Sequence, residues 1–219
     1  MLDHLRPALA PVVPAVARAC RLSLTLPGAV GVAVTFDDGP HPDGTPAILS
    51  LLADAGVRAT FFLVGEQVRA RPALAAEIAA AGHGVALHAD RHRLQLRLTA
   101  RELADDLTRG LDAVQTATGA TVTLHRPPYG IYSGAGLAAV RAAGLQPLLW
   151  SRWGKDWRKF TTPARIAARA TRDLGPGDVI LLHDADFYSS RESHKRTAQA
   201  LPAIINAVRQ RGLDTVLAV

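Results

Sequence analysis

Short apolar runs alternate with longer alanine-rich stretches along the chain from residue 28 onward. The apolar runs have the length of buried strands, and the alanine-rich stretches between them have the length of helices. Seven such runs occur, at residues 30–36, 59–64, 84–87, 122–125, 145–150, 179–182 and 215–219. Repeated strand–helix units are typical of an α/β fold with a parallel sheet. We therefore predict a single-domain (β/α) barrel with seven strands.

The ends of the predicted helices carry recognisable signals. Thr99 and Glu102 have the spacing of a capping box at a helix start. Glycines follow four helical stretches, at Gly56, Gly82, Gly144 and Gly212. Prolines stand near three predicted helix starts, at Pro72, Pro163 and Pro202. These signals support the assignment of helices to the stretches between the predicted strands.

The N-terminal segment, residues 1–27, differs from the rest. Its apolar residues are interrupted by three arginines and by Pro7, Pro11 and Pro14, so it does not have the pattern of a membrane span. It is also a poor signal peptide, because Asp3 lies where positive charge is expected. We predict an N-terminal arm or helix at residues 1–27, either a docking helix or a trimmed leader, before one barrel at residues 28–219. A cytoplasmic location is favoured over a secreted or cell-wall-associated one.

Composition limits the partners. The net charge of +6 would favour anionic partners, but the basic residues are spread along the chain and only three of the 25 are lysines. Aromatic residues make up 5% of the chain, too few for base-stacking platforms, so we expect no specific nucleic-acid partner. The single cysteine, Cys20, excludes an internal disulfide and a thiolate metal site. Any metal site must use histidine and carboxylate ligands, and the sequence leaves the oligomeric state open.

Unusual polar residues fall at the carboxyl ends of the predicted strands. They are Asp37 and Asp38 after the first strand, His88 and His92 after the third, Arg126 after the fourth, Asp156 after the fifth and His183 at the end of the sixth. In a parallel barrel these ends lie on the face where active sites form. We therefore expect the side chains to converge.

Two motifs among them suggest chemistry. The adjacent carboxylates Asp37 and Asp38 precede a Gly-Pro turn, whose bend would let both serve one site, although the segment alone is more typical of a solvated turn. His88 and His92 have the i, i+4 spacing that places two imidazoles on one side of a helical turn. That pair alone is weak evidence. With Asp38 it predicts a His-His-carboxylate site for a catalytic divalent cation.

The ordered motifs Thr-Phe-Asp-Asp-Gly-Pro, His-x-x-x-His, Arg-Pro-Pro-Tyr, Asp-Trp and Leu-x-His resemble the polysaccharide deacetylase (NodB-like carbohydrate esterase) family over about residues 30–219. The resemblance implies a distorted (β/α)7 barrel and one divalent cation on Asp38, His88 and His92. Zinc is the first choice, and cobalt, nickel or manganese are alternatives.

The resemblance also implies the roles of the other residues. Asp37 would be the general base, with Arg126 holding its carboxylate in place, and His183 the general acid, supported by Asp156. The backbone N–H of Tyr129 would stabilise the oxyanion. Leu181 and Trp157 would shape the pocket for the acetyl methyl group and the sugar ring.

Departures from the family pattern leave the substrate open. Ala89 stands where a small hydroxyl residue often follows the first metal histidine, Trp153 replaces a frequent acidic residue, and residues 186–194 form an unusual exit from the sixth strand. Our first hypothesis is N-acetyl hydrolysis on an amino-sugar polymer or oligomer such as chitin or peptidoglycan. The alternatives are a deacetylase of a small intracellular amide and a non-catalytic carbohydrate-binding barrel. The other histidines are interpreted by default as surface or supporting residues.

Overall fold

The sheet is built around a central strand, β1 (Gly31–Asp37), in which every residue is buried. The computed structural model describes residues 6–28 and 31–218. Within that part the further strands are β2 (Thr60–Leu63), β3 (Gly84–Leu87), β4 (Leu124–His125), β5 (Gln146–Pro147), β6 (Arg152–Trp153), β7 (Val179–His183) and β8 (Asp214–Thr215). Their order is β5-β4-β3-β2-β1-β7-β6, with β8 paired to β1. All these strands pair in parallel.

Helices connect the strands and cover the sheet. They are α1 (Pro14–Ala19), α2 (Gly44–Asp54), α3 (Gly65–Ala70), α4 (Pro72–Ala80), α5 (Ala100–Thr118), α6 (Gly134–Ala142), α7 (Pro163–Ala170) and α8 (Ser193–Gln210). The alternation confirms the predicted α/β barrel, a curled parallel sheet of the (β/α)7 type. The sheet path ends at β5 and β6, which do not pair with each other in the described chain.

The predicted helix signals are confirmed at most positions. Thr99 makes both halves of the capping box with Glu102 at the start of α5. Pro72 and Pro163 occupy the first turns of α4 and α7. The prediction for Pro202 was wrong, because α8 begins at Ser193 and Pro202 lies inside it. Its exposed ring leaves the buried face of α8 continuous.

The strands differ from the apolar runs at their ends. Strand β6 was not predicted, because its two residues are an arginine and a tryptophan rather than an apolar run. Within the run 145–150 only Gln146 and Pro147 are in a strand. Residues 30 and 219 of the predicted runs, and residues 1–5 of the arm, lie outside the described part of the chain.

Alternation along β1 decides which side chains face the barrel interior. Thr35 and Asp37 lie on the same side of the strand, and both contact the guanidinium of Arg126. Phe36 points to the opposite side, where its ring stacks on that of Phe61 at 5.1 Å between centroids. The sheet thus separates an apolar layer under the helices from a partly polar interior that opens at the rim.

The described part of the N-terminal arm packs against the barrel. It contains a 3₁₀ turn at Arg6–Leu9 and helix α1, and the side chains of Ala10 and Ala17 are fully buried. Ser23 bridges Leu148 beside β5, close to where the sheet is open. Among the described helices, none combines the length and the apolar character needed to span a membrane.

Candidate active site

The carboxyl ends of β1, β3 and β7 surround a cleft of about 290 Å³. Five of the predicted polar residues line it: Asp37, Asp38, His88, His92 and His183. The other two, Arg126 and Asp156, are fully buried behind it and contact the lining residues directly. The structure therefore brings all seven predicted rim residues together.

Asp38, His88 and His92 form a compact cluster at the bottom of the cleft. The Oδ1 atom of Asp38 lies 3.5 Å from Nε2 of His88 and 3.3 Å from Nε2 of His92. The Nδ1–H of His88 donates to the carbonyl oxygen of Arg126 at 2.8 Å, which leaves the Nε2 lone pair facing Asp38. This arrangement fixes the tautomer that a metal-binding histidine needs.

The protonation states of the cluster favour cation binding. Burial would raise the pKa of Asp38, but interaction with His88 and the charges of His183 and His92 lower it to about 2. Burial lowers the pKa of His92 to about 4, against the attraction of Asp38. The cluster thus presents one carboxylate and a neutral imidazole at neutral pH.

The cluster passes a simple geometric test for a metal site. Ligand atoms about 2.1 Å from a tetrahedral cation are separated by roughly 3.4 Å, which the two Asp38–histidine distances match. Asp38 Oδ1 is buried and lacks a hydrogen-bond partner among the described residues. The donor set of two imidazoles and one carboxylate suits zinc or a similar ion.

Backbone conformation, rather than a helical turn, brings the ligands together. The prediction that His88 and His92 lie on one side of a helical turn was wrong, since the segment after β3 is a loop. Asp38 and Ala89 have positive φ angles of 80° and 66°, so the bend at the first motif begins at Asp38 itself. These left-handed residues are uncommon outside glycine and are held by their surroundings.

Ion pairs brace the loop that carries the two histidines. The backbone N–H of Asp90 donates to Oδ2 of Asp106 on α5 at 2.8 Å, and Arg93 pairs with the other Asp106 oxygen at 2.8 Å. The buried carboxylate of Asp90 pairs with Arg69 at 2.6 Å and with Arg109 at 3.3 Å. These contacts fix the loop although the hydroxyl expected at residue 89 is missing.

Asp37 is held by a wholly buried arginine. The Nη1 atom of Arg126 donates to Oδ1 of Asp37 at 2.6 Å, and the other guanidinium nitrogens donate to the carbonyls of Leu148 and Leu149. The second oxygen, Oδ2, stands 3.8 Å from Nδ1 of His88 and belongs to the cleft lining. One carboxylate oxygen is therefore anchored, and the other is directed to the cluster.

His183 faces the cleft from the end of β7. Its Nδ1–H donates to Oδ1 of Asp156 at 2.9 Å, and Thr197 donates to the other oxygen of that carboxylate at 2.7 Å. Burial would lower the pKa of His183, but the charge and hydrogen bond of Asp156, with Asp38 and Asp37 nearby, raise it to about 10. The imidazole is thus a cation with Nε2 available to the cleft.

Aromatic side chains form the walls. The structure places the predicted pocket residues Tyr129, Trp157 and Leu181 in the lining. Tyr129 lies in a 3₁₀ turn with a φ of 61°, and Trp157 contacts His183 edge-on at 5.5 Å. The lining also contains Trp150, Trp153 and Tyr188, which were not predicted from the sequence. Tyr188 could have been predicted, because it is an aromatic residue in the loop that follows the carboxyl end of a strand.

Tyr188 makes the most specific of these wall contacts. Its ring stacks on that of His92 at 4.1 Å with an angle of 7° between the planes. Its hydroxyl donates to Glu66 at 2.8 Å and accepts from Gln67 at 3.0 Å. The loop between β7 and α8 thereby covers one side of a candidate metal ligand.

The remaining histidines of the described chain are buried, which contradicts the surface half of their default interpretation as surface or supporting residues. His41, His83, His125 and His194 are all buried, while His4 lies outside the described residues.

His41, Asp43 and His194 form a second cluster of potential metal ligands. However, backbone N–H groups of Asp43 and Gly44 donate to Nδ1 of His41, which keeps its proton on Nε2, 3.2 Å from Asp186. That tautomer suits a hydrogen-bonded contact that joins two loops rather than a metal ligand.

Comparison with known proteins agrees with this architecture. The sequence profile described as polysaccharide deacetylase matches residues 27–148. A chitooligosaccharide deacetylase from Bradyrhizobium sp. is 34% identical over 85% of this chain and 88% of its own length. A peptidoglycan-N-acetylglucosamine deacetylase from Bacillus cereus is 31% identical over 83% of each chain.

A solved structure extends the agreement to three dimensions. A peptidoglycan N-acetylglucosamine deacetylase superimposes with a TM-score of 0.83 at 27% identity, over 90% of both chains. The profile match covers more than half of the chain, and the sequence relatives exceed 30% identity over most of it. The chain therefore belongs to the polysaccharide deacetylase family and is a hydrolase of that type.

Proposed function

We propose that this protein is a metal-dependent deacetylase that removes N-acetyl groups from an amino-sugar polymer or oligomer and releases acetate. The observation that carries the proposal is the convergence of Asp38, His88 and His92 beside Asp37 and His183 in one cleft. The relatives named for chitooligosaccharide and peptidoglycan support an amino-sugar substrate. We assign catalysis to the barrel, residues 28–219, and treat residues 1–27 as an arm.

The proposed cation site consists of Asp38, His88 and His92, with zinc as the first candidate. A divalent cation there would supply Lewis-acid activation of water and of the amide carbonyl. One carboxylate oxygen of Asp38 and the Nε2 atoms of His88 and His92 would hold the cation. The hydrogen bond to the Arg126 carbonyl orients His88, and the Tyr188 ring stacks on His92.

Asp37 is proposed as the general base. Its Oδ1 is fixed by Arg126, so Oδ2 is the oxygen that can take a proton from the attacking water. The anchoring guanidinium also stops the carboxylate from rotating away, and a positioned base typically contributes about 10²–10⁴-fold to rate. The buried setting keeps this contact free of competition from bulk water.

His183 is proposed as the general acid for the departing amine. Because Asp156 accepts from Nδ1–H, the proton available for transfer is on Nε2. Asp156 is itself fixed by Thr197 and by the backbone N–H of His183, so the ring has one orientation. Loss of that proton to the amine would leave a neutral imidazole facing the cleft.

The remaining roles concern the substrate carbonyl and the sugar. The backbone N–H of Tyr129 is the proposed donor to the developing oxyanion, and one such donor is typically worth about 3 kcal/mol of barrier. Leu181 and Trp157 border the space for the acetyl methyl group and the sugar ring. A cleft of about 290 Å³ lies at the lower end of ligand pockets, which suits one amino-sugar unit at a time.

Acetate release from a tetramer of N-acetylglucosamine tests the proposal. Wild-type protein loaded with Zn²⁺ is expected to release acetate, and Asp37→Asn should reduce the rate by about 10²–10⁴-fold. Asp112→Asn, a matching change on the exposed face of α5, should leave the rate unchanged. Equal rates for wild type and Asp37→Asn would remove Asp37 from the mechanism.

A panel of small acetamides, assayed beside the oligomer, separates the alternatives. Faster turnover of a small acetamide would favour a small-molecule deacetylase. Binding of the oligomer without acetate release from any compound would favour the non-catalytic barrel. The proposal requires the oligomer to be the better substrate.

A further inference from the structure

A second cavity adjoins the cleft, and four of its six lining residues are basic. It has a volume of about 280 Å³, and its lining is Ser151, Arg152, Trp153, Lys155, Arg169 and Arg172. Trp153 lines both this cavity and the catalytic cleft, so the two spaces meet at this residue. The lining contains four cationic side chains and, among the described residues, no carboxylate.

One of the four cations is already neutralised. Arg152 pairs with Asp178 at 2.8 Å between Nε and Oδ2, and its Nη2 donates to the carbonyl of Asp173. Lys155, Arg169 and Arg172 have no salt-bridge partner within the described part of the chain. Three uncompensated positive charges therefore face one cavity beside the cleft.

The backbone helps to place the charge beside Trp153, the residue that both cavities share. Lys155 has a φ of 53°, in the left-handed region that few lysines occupy, and its Nζ lies 4.3 Å from the centroid of the Trp153 ring. The cation–π contact holds the ammonium at the edge where the two cavities meet. Arg169 lies on α7, and Arg172 follows two residues after the end of that helix.

We propose that this basic cavity, Lys155 with Arg169 and Arg172 beside Trp153, is a subsite for a carboxylate carried by the sugar next to the one being deacetylated. This inference rests on the proposed function and narrows it to acid-bearing amino-sugar polymers rather than neutral ones. The adjoining cavity holds three cationic side chains that lack a salt-bridge partner among the described residues, and their combined positive charge attracts an anion. An acidic substituent on the neighbouring unit therefore orients the chain and selects which sugar enters the cleft.

The test compares two tetrasaccharides of equal length. One is neutral, made of N-acetylglucosamine alone, and the other is a peptidoglycan fragment whose alternate units carry lactyl carboxylates. For Zn²⁺-loaded wild type, kcat/KM for acetate release should be about tenfold higher or more on the acidic fragment at low salt. This preference should shrink as NaCl is raised, because salt screens exposed charge pairs.

Charge removal identifies the residues responsible. Arg169→Gln/Arg172→Gln should reduce kcat/KM on the acidic fragment by about tenfold, because each exposed charge contributes up to about fivefold and the two contributions combine. The same variant should leave kcat/KM on the neutral tetramer unchanged. Lys155→Gln provides an independent variant if the double substitution folds poorly. Arg101→Gln/Lys195→Gln, which removes two positive charges from exposed positions elsewhere, is the matched control.

Direct binding provides a readout that does not depend on turnover. Asp37→Asn protein should bind the acidic tetrasaccharide more tightly than the neutral one by calorimetry, and Arg169→Gln/Arg172→Gln in that background should abolish the difference. Equal kcat/KM and equal binding for both tetrasaccharides would overturn the subsite while leaving the deacetylase proposal intact. Absence of acetate release from both would instead contradict the proposed function.

Discussion

Replacing Arg126 by methionine should destabilise the fold far more than removing an exposed arginine. The guanidinium is fully buried and donates to Thr35, Asp37, Leu148 and Leu149 at 2.6–3.0 Å. Methionine fills much of the volume but leaves the carboxylate of Asp37 buried without its cation. Breaking a buried pair in this way typically costs about 3–5 kcal/mol.

Urea unfolding followed by circular dichroism measures this loss. Arg101→Met is the control, because Arg101 is 92% exposed and its pair with Asp105 spans 3.9 Å, so its removal should change the free energy of unfolding by less than about 1 kcal/mol. The double variant Arg126→Met/Asp37→Asn should lose less free energy of unfolding than the sum of the losses in the two single variants. The reason is that the neutral amide that replaces the Asp37 carboxylate does not need a cation beside it. A loss for Arg126→Met no larger than that for Arg101→Met, or strict additivity, would show that Arg126 does not stabilise the buried carboxylate of Asp37.

Three further predictions concern single side chains. Asp156→Asn should lower the pKa of His183 from about 10, so the alkaline decline of kcat should move to lower pH. A pH–rate profile of acetate release in which the alkaline decline stays at the wild-type pH would contradict this. Tyr188→Ala should weaken Zn²⁺ binding about tenfold, because it exposes His92. Tyr188→Phe keeps the stacked ring and should bind Zn²⁺ nearly as tightly as wild type, and competition with a chelator measures both affinities. Thr99→Ala removes the cap of α5 and should cost about 1 kcal/mol in urea unfolding, while an unchanged midpoint would show that the cap does not stabilise the helix.

The fold and most of the site followed from local patterns. Parallel strands place their carboxyl ends on one rim, so finding the ends of β1, β3 and β7 was enough to predict that Asp37, His88 and His183 converge. The capping box and the glycines after helices acted as predicted, because they depend on residues within one turn. The motif order added the family and the expected roles.

The features that escaped prediction depend on tertiary contacts. The stacking of Tyr188 on His92 requires the path of the loop after β7, which no local pattern specifies. Likewise, the left-handed backbone at Ala89 is held by Asp90 and α5 rather than by its own side chain. Strand β6 is too short to produce an apolar run, so the wall formed by Trp153 was not predicted.

The proposed activity depends on one divalent cation held by Asp38, His88 and His92. Anomalous diffraction at the zinc absorption edge, from crystals of protein stripped with chelator and then supplied with Zn²⁺, tests it most directly. We expect a strong peak between Oδ1 of Asp38 and the two Nε2 atoms, and no such peak in crystals of His88→Ala treated in the same way. A peak elsewhere only, or none, would show that these three residues do not hold the cation.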